Sequence, residues 1–174
     1  HILWVNLVTD GLPGLALASE PSEPDIMKRP PRSPKASIFA EGMAMHILWV
    51  GFLMGCLTLG IQAWAIHHEN ANWQTMAFTV LCFGQMGHVM AIRSEKESVF
   101  RIGVLSNKPM LGALLVTFVL QLMIIYVPFF NDIFKTQPLS LTELGITLAV
   151  SSLVFWAVEI EKWVKRNKSR TKVS

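Results

Sequence analysis

Long runs of apolar residues, broken only by short polar stretches, decide the fold class of this 174-residue chain. A hydrocarbon core roughly 30 Å thick is crossed by about 20 apolar residues in helical form. Residues 43–66, 73–92, 109–130 and 144–164 each reach that length, while residues 2–18 fall about one turn short. The first run begins at the second residue and reads as a helix cut short. The pattern predicts an all-α fold, a polytopic membrane helix bundle with five transmembrane spans, the first of them truncated. A soluble bundle would show a polar face on each helix, and these runs show almost none. Only 16% of the residues are charged, against about a quarter in soluble domains. Cys56 and Cys82 both sit inside apolar runs, which argues against a disulfide framework or a zinc site.

Charge placement sets the expected topology. Residues 20–42 form a Pro-rich basic loop with Lys28, Arg29, Arg32 and Lys35. The stretch 93–108 adds Arg93, Lys96, Arg101 and Lys108, and the tail adds Lys162, Lys165, Arg166, Lys168, Arg170 and Lys172. On the other face, the His67-His68-Glu69-Asn70 turn has no basic residue and residues 131–142 have Lys135 alone. Fourteen of fifteen basic residues thus mark one side, which the positive-inside rule places in the cytoplasm. The chain is expected to start outside, cross five times and end inside. Its basic character is a topology signal, and no nucleic-acid partner is needed to explain it. Three parts follow: a truncated span with ion-site residues at 1–19, the loop at 20–42, and a four-span membrane domain with a basic cytoplasmic tail at 43–174.

Of twelve acidic residues, only Asp10 lies in the middle of an apolar run. An Asp at a helix centre costs about 2.5–3.5 kcal/mol even on lenient insertion scales. On a regular helix Asn6 and Asp10 fall within about 40° of one another, with Thr9 on the flank of that face. Pro13 follows Thr9 by four residues, so the Thr9 carbonyl loses its usual donor, and Gly11 and Gly14 permit unwinding. Bare carbonyls at membrane depth are tolerated where they line a polar site. Amide, hydroxyl, carboxylate and carbonyl oxygens are the groups that hard cations require. Two readings stay open on the residues alone: a cation site, or an Asp–Asn pair that shares a proton and packs helices together.

The order Leu3-Trp4-Val5-Asn6-Leu7-Val8-Thr9-Asp10-Gly11-Leu12-Pro13, with Asp25-Ile26-Met27 and Arg29-Pro30-Pro31-Arg32 after it, resembles a known family. It is similar to the sixth transmembrane helix and following cytoplasmic loop of P-type cation-transporting ATPases, above all sarcoplasmic-reticulum-like and bacterial calcium pumps. The resemblance extends over the whole chain as helices six to ten. It implies Ca²⁺ as the transported ion and Asn6, Thr9 and Asp10 as metal ligands shared with helices outside this chain. It also implies that the Pro-rich loop couples phosphorylation to movement in the membrane. One departure stands out in Phe83-Gly84-Gln85-Met86-Gly87-His88, where the sarcoplasmic-reticulum type offers a Glu at the place of Gln85. A neutral amide is a weaker cation ligand than a carboxylate. Gln85 is therefore a possible but poor metal ligand, its other reading is a helix-bridging hydrogen bond, and one Ca²⁺ per cycle is implied.

These 174 residues contain no Asp-Lys-Thr-Gly-Thr motif and no phosphate-cradling Gly-rich loop. Catalytic residues, ATP and Mg²⁺ are thus expected only in missing domains of a parent pump. Expected partners are the lipid bilayer and the N-terminal helices and cytoplasmic domains of that pump, in the plasma membrane if it is bacterial. The rivals are a pump for Mn²⁺, Na⁺ or H⁺, and a non-enzymatic scaffold or secondary transporter using Asp10 as a proton site. His46, His67, His68 and His88 are expected to act separately, in packing. Gly51 and Gly55 form a G-x-x-x-G expected to let two helices approach closely. Gln121, Pro128, Ser151 and Ser152 are expected to bridge helices or satisfy backbone groups, and Glu159 and Glu161 to pair with Lys162, Lys165 and Arg166.

Overall fold

The computed structural model describes residues 1–18, 27, 43–93, 98–103 and 106–171. The basic loop, apart from Met27, lies outside the described residues, as do Lys96 and Lys172. Every regular element described is helical: α1 (Ile2–Ala18), α2 (Met43–His67), α3 (Trp73–Ala91), α4 (Val99–Ile102), α5 (Lys108–Tyr126), α6 (Pro128–Phe134) and α7 (Leu141–Thr171). Of these, α2, α5 and residues 141–167 of α7 are long and apolar enough to cross a membrane, and α1 is a shorter apolar helix.

The 19-residue α3 is the centre of the bundle, with α2 and α7 on one side and α1 and α5 on the other. Its position explains its composition. Thr75 and Thr79 are buried on α3, where protein rather than lipid surrounds them and partners are at hand: Thr75 accepts from the Gln137 amide at 2.9 Å and Thr79 donates to the Thr75 carbonyl at 2.7 Å. By contrast α2 turns Leu48, Phe52 and Leu59 outward, the arrangement of a lipid-facing helix.

Glycines of α3 face α7 at the contact between them, though they are not the pair expected. A Cβ at Gly84 would lie 3.5 Å from Val154 Cγ2, and one at Gly87 3.5 Å from Phe155 Cβ. Gly51 and Gly55 meet nothing within 4 Å, because their face of α2 points away from the described bundle. The expected G-x-x-x-G contact is therefore absent among the described residues.

The predicted fourth span, 109–130, is broken in two. Pro128 has no N–H to give and disfavours helical geometry in the residue before it, so Val127 is extended (φ −89°, ψ 118°) and α5 stops at Tyr126. The carbonyls left bare find new donors. Asn131 Nδ2 lies 2.7 Å from the Ile124 oxygen and 2.9 Å from that of Ile125, and Thr136 donates to Ile124 at 2.6 Å. The stretch 131–142, which carries no obvious signal in sequence, thus closes the end of α5.

The last helix starts three residues earlier than the predicted 144. Ser140 Oγ accepts from the Glu143 amide at 3.2 Å and Glu143 accepts from the Ser140 amide at 2.7 Å, a reciprocal capping box. Glu143 also accepts from Asn70 at 2.5 Å and Asn72 at 3.1 Å, tying the 67–72 turn to α7. At the opposite end Ser98 caps α4 and donates to Glu159 at 2.5 Å, while Lys162 binds Glu159 at 3.2 Å and the Ala91 carbonyl. Lys165 pairs with Glu161 as expected. His46 and His88, expected to act separately, meet at this same end.

Candidate ion-binding site

Asn6, Thr9 and Asp10 all lie in one segment of α1, residues Val5–Gly11, wound as a π-helix. A π-turn carries one extra residue, joining carbonyl i to amide i+5, and such insertions are frequent at functional sites. Its register here answers to Pro13. In an α-turn Pro13 would have to serve the Thr9 carbonyl, and in a π-turn that of Val8. Pro13, which has no N–H, can serve neither carbonyl. The Thr117 hydroxyl of α5 lies 3.5 Å from the Val8 oxygen while donating to Ala113 at 2.8 Å.

The three predicted ligands do not converge on one another within this chain. Thr9 is fully buried, beside the Cys82 thiol of α3, and its hydroxyl has no nitrogen or oxygen partner among the described residues. Asn6 and Asp10 are exposed on the outward side of α1. They share a face, as the sequence predicts, and that face is exposed among the described residues.

Gln85 stands on the side of α3 that meets α1. Phe78 and Cys82 pack with Val5, and Val89 packs with Ala16. Gln85 follows Phe78 by seven residues and so lies between those two contact levels on the same face. Its Oε1 is buried with no partner among the described residues. Gln121 on α5 is also fully buried; its Oε1 accepts from Trp4 Nε1 at 3.1 Å, and its Nε2 has no partner. This is the helix-bridging role expected for Gln121. Ser151 and Ser152 bond back to Thr147 at 2.5 Å and Ala149 at 2.7 Å, also as expected.

Buried polar atoms without partners are uncommon in folded proteins. Here Thr9, Gln85 and Gln121 supply one each, from the three helices that meet at the π segment. Thr117 escaped the sequence reading, although it precedes Gln121 by four residues and so shares its face. The oxygen types suit a hard cation, but one carboxylate, two side-chain amides and a hydroxyl fall short of the six to eight oxygens Ca²⁺ takes. No group of three His, Cys, Asp or Glu side chains able to hold a metal occurs among the described residues. The described residues alone do not supply a complete Ca²⁺ coordination shell.

The chain is similar to known sequences over nearly its whole length. The family described as "Cation transporting ATPase, C-terminus" matches residues 1–164. Calcium-transporting ATPase 1 of Bacillus cereus is 36% identical over 96% of this chain and 21% of its own length. Calcium-transporting ATPase 1 of Schizosaccharomyces pombe is 34% identical over 99% of this chain and 20% of its own. Human calcium-transporting ATPase type 2C member 1 is 34% identical over 98% of this chain and 19% of its own. The chain spans about a fifth of the length of these relatives. With the match running from the π segment through the last long helix, the chain belongs to the cation-transporting ATPase family, as its C-terminal membrane region.

Proposed function

We propose that this chain forms the last five membrane crossings of a P-type pump that uses ATP to export Ca²⁺ from the cytoplasm. Its N-terminal end lies outside, its C-terminus in the cytoplasm, and the basic loop 20–42 faces the cytoplasmic domains. Asn6, Thr9 and Asp10 are its contribution to the ion site, completed by helices outside the chain. ATP and Mg²⁺ act in domains that these residues do not include. The relatives named as calcium-transporting ATPases support this choice of ion over Mn²⁺, Na⁺ or H⁺.

The observation that carries the reading is Asp10. It is the one acid inside an apolar run, it sits in the π segment next to Pro13, and it turns outward. A carboxylate so placed is costly in lipid and becomes favourable when a cation and further oxygens cover it. Alternation between cytoplasmic and external access then needs only that the outward oxygens of α1 change their distance from their partners. The π segment is a natural place for that change, because its hydrogen bonds can revert to α register. Gln85 replaces a potential carboxylate by a neutral amide on the α1-facing side of α3, so one Ca²⁺ moves per cycle. In the intact pump, Asp10→Asn abolishes Ca²⁺-dependent phosphorylation by ATP. A normal Ca²⁺-activated phosphoenzyme in that variant refutes the role given to Asp10.

A further inference from the structure

Away from the π segment, side chains from α2, α3 and α7 make one connected polar chain. His46 Nδ1 on α2 lies 2.7 Å from Glu161 Oε2 on α7, and Trp49 Nε1 donates to the same oxygen at 3.0 Å. Lys165 pairs with the other Glu161 oxygen. On the far side of its ring, His46 Nε2 is 3.3 Å from Nε2 of His88 on α3, with centroids 5.6 Å apart and the ring planes 22° from parallel. All of these groups are half-buried except Lys165, which is exposed.

The donor inventory fixes where protons sit. An ionised carboxylate only accepts, so His46 Nδ1 carries a hydrogen. With His46 neutral, its Nε2 is bare, and the contact requires a hydrogen on His88 Nε2. One added proton converts this contact to a charge-assisted bond between an imidazolium and an imidazole, which is stronger. A second would set hydrogens on both facing nitrogens and drive the rings apart. Among the described residues, the charged groups facing the pair are Glu161 and Lys165 from α7; Glu159 and Lys162 on the same helix pair with each other.

We infer that His46 and His88, oriented by Glu161, form a site that binds a single proton and ties α2, α3 and α7 together. The bond survives the first protonation and opens on the second, so the site is a proton-titrated clasp. Gln85 lies one turn from His88 on α3, which carries the state of the clasp to the helix that faces the π segment.

The test is a titration of the intact pump in lipid bilayers with ¹⁵N-labelled histidine, followed by NMR between about pH 8 and 5. The difference spectra of His46→Asn and His88→Asn identify the two rings. One proton is expected for the pair in this range, with a signal shared between the facing nitrogens. Glu161→Gln, which keeps size and hydrogen bonding, is expected to weaken proton binding by at least about tenfold. Independent uptake of one proton by each ring over the same range overturns the inference, as does a pair that stays neutral down to pH 5. So does an unchanged titration in Glu161→Gln. The readout is imidazole protonation, so its failure leaves the Ca²⁺ assignment standing, and failure of that assignment leaves this result intact.

Discussion

Replacing Trp4 by Phe removes the indole N–H that reaches Gln121 at 3.1 Å. The amide oxygen left behind belongs to a residue with no exposed surface, and the amide nitrogen of the same group already lacks a partner. An orphaned buried acceptor costs about 1–3 kcal/mol, to which the smaller ring adds lost contact with Phe134, now edge-on at 5.2 Å. Gln121→Leu behaves differently. It forfeits one hydrogen bond, worth about 1 kcal/mol net, and removes an unpaired N–H₂ whose burial costs about the same or more. Its net effect is close to zero. The double variant keeps only the ring-size loss, so it should be better than Trp4→Phe alone by about 1–3 kcal/mol, a positive coupling in a double-mutant cycle. Hydrogen exchange at the amides of residues 5–18 in the ion-free intact pump reads this directly, because local opening there is slowed roughly 5- to 150-fold by that energy. Simple additivity, with the double variant as open as the sum of the singles, would refute the assignment of the bridge.

Gln85→Glu sets a second carboxylate on the α1-facing side of α3. Ca²⁺ taken up per ATP, measured as radioactive uptake against phosphate release, should rise from one toward two, and an unchanged ratio removes Gln85 as the determinant. Asn131→Ala withdraws the donor from the Ile124 and Ile125 carbonyls; Thr136 still serves Ile124, so the cost is about 1–3 kcal/mol for Ile125. Asn131→Asp opposes carboxylate oxygen to those carbonyls and should cost more. Exchange rates at residues 127–136 should therefore rank Asp above Ala above the parent, and equal rates for the two variants would contradict the capping role.

The lengths and order of the helices were legible because lipid demands about 20 apolar residues per crossing, a requirement with few competitors. Where it failed, a local rule was masked by composition. Pro128 signalled a break, yet Phe129 and Phe130 continue the apolar run across it. The G-x-x-x-G of α2 and the G-x-x-G of α3 (Gly84, Gly87) each set two small residues on one helix face; which one packs depends on which face α7 covers, and only the fold decides that. In the candidate site, the Asn6–Asp10 face survived the change from α to π winding, since both residues turn outward. The inward turn of Thr9 toward Cys82 did not show, because it depends on the position of α3. His46 and His88 were equally opaque, being 42 residues apart on separate helices.

The break at Pro128 also has a consequence for the bilayer. With 19 residues, α5 rises about 28 Å, close to a typical hydrocarbon thickness of about 30 Å. The 25 residues of α2 rise about 37 Å, so in a bilayer of that depth α2 would have to tilt or reach past the acyl region, whereas the length of α5 needs no tilt. Because α2 and α5 lie on opposite sides of α3, a surrounding bilayer would meet these unequal lengths on opposite faces of the bundle. Lipid matched to α5 on one face and to α2 on the other would differ in depth, so a membrane of intermediate depth would hold both with least distortion.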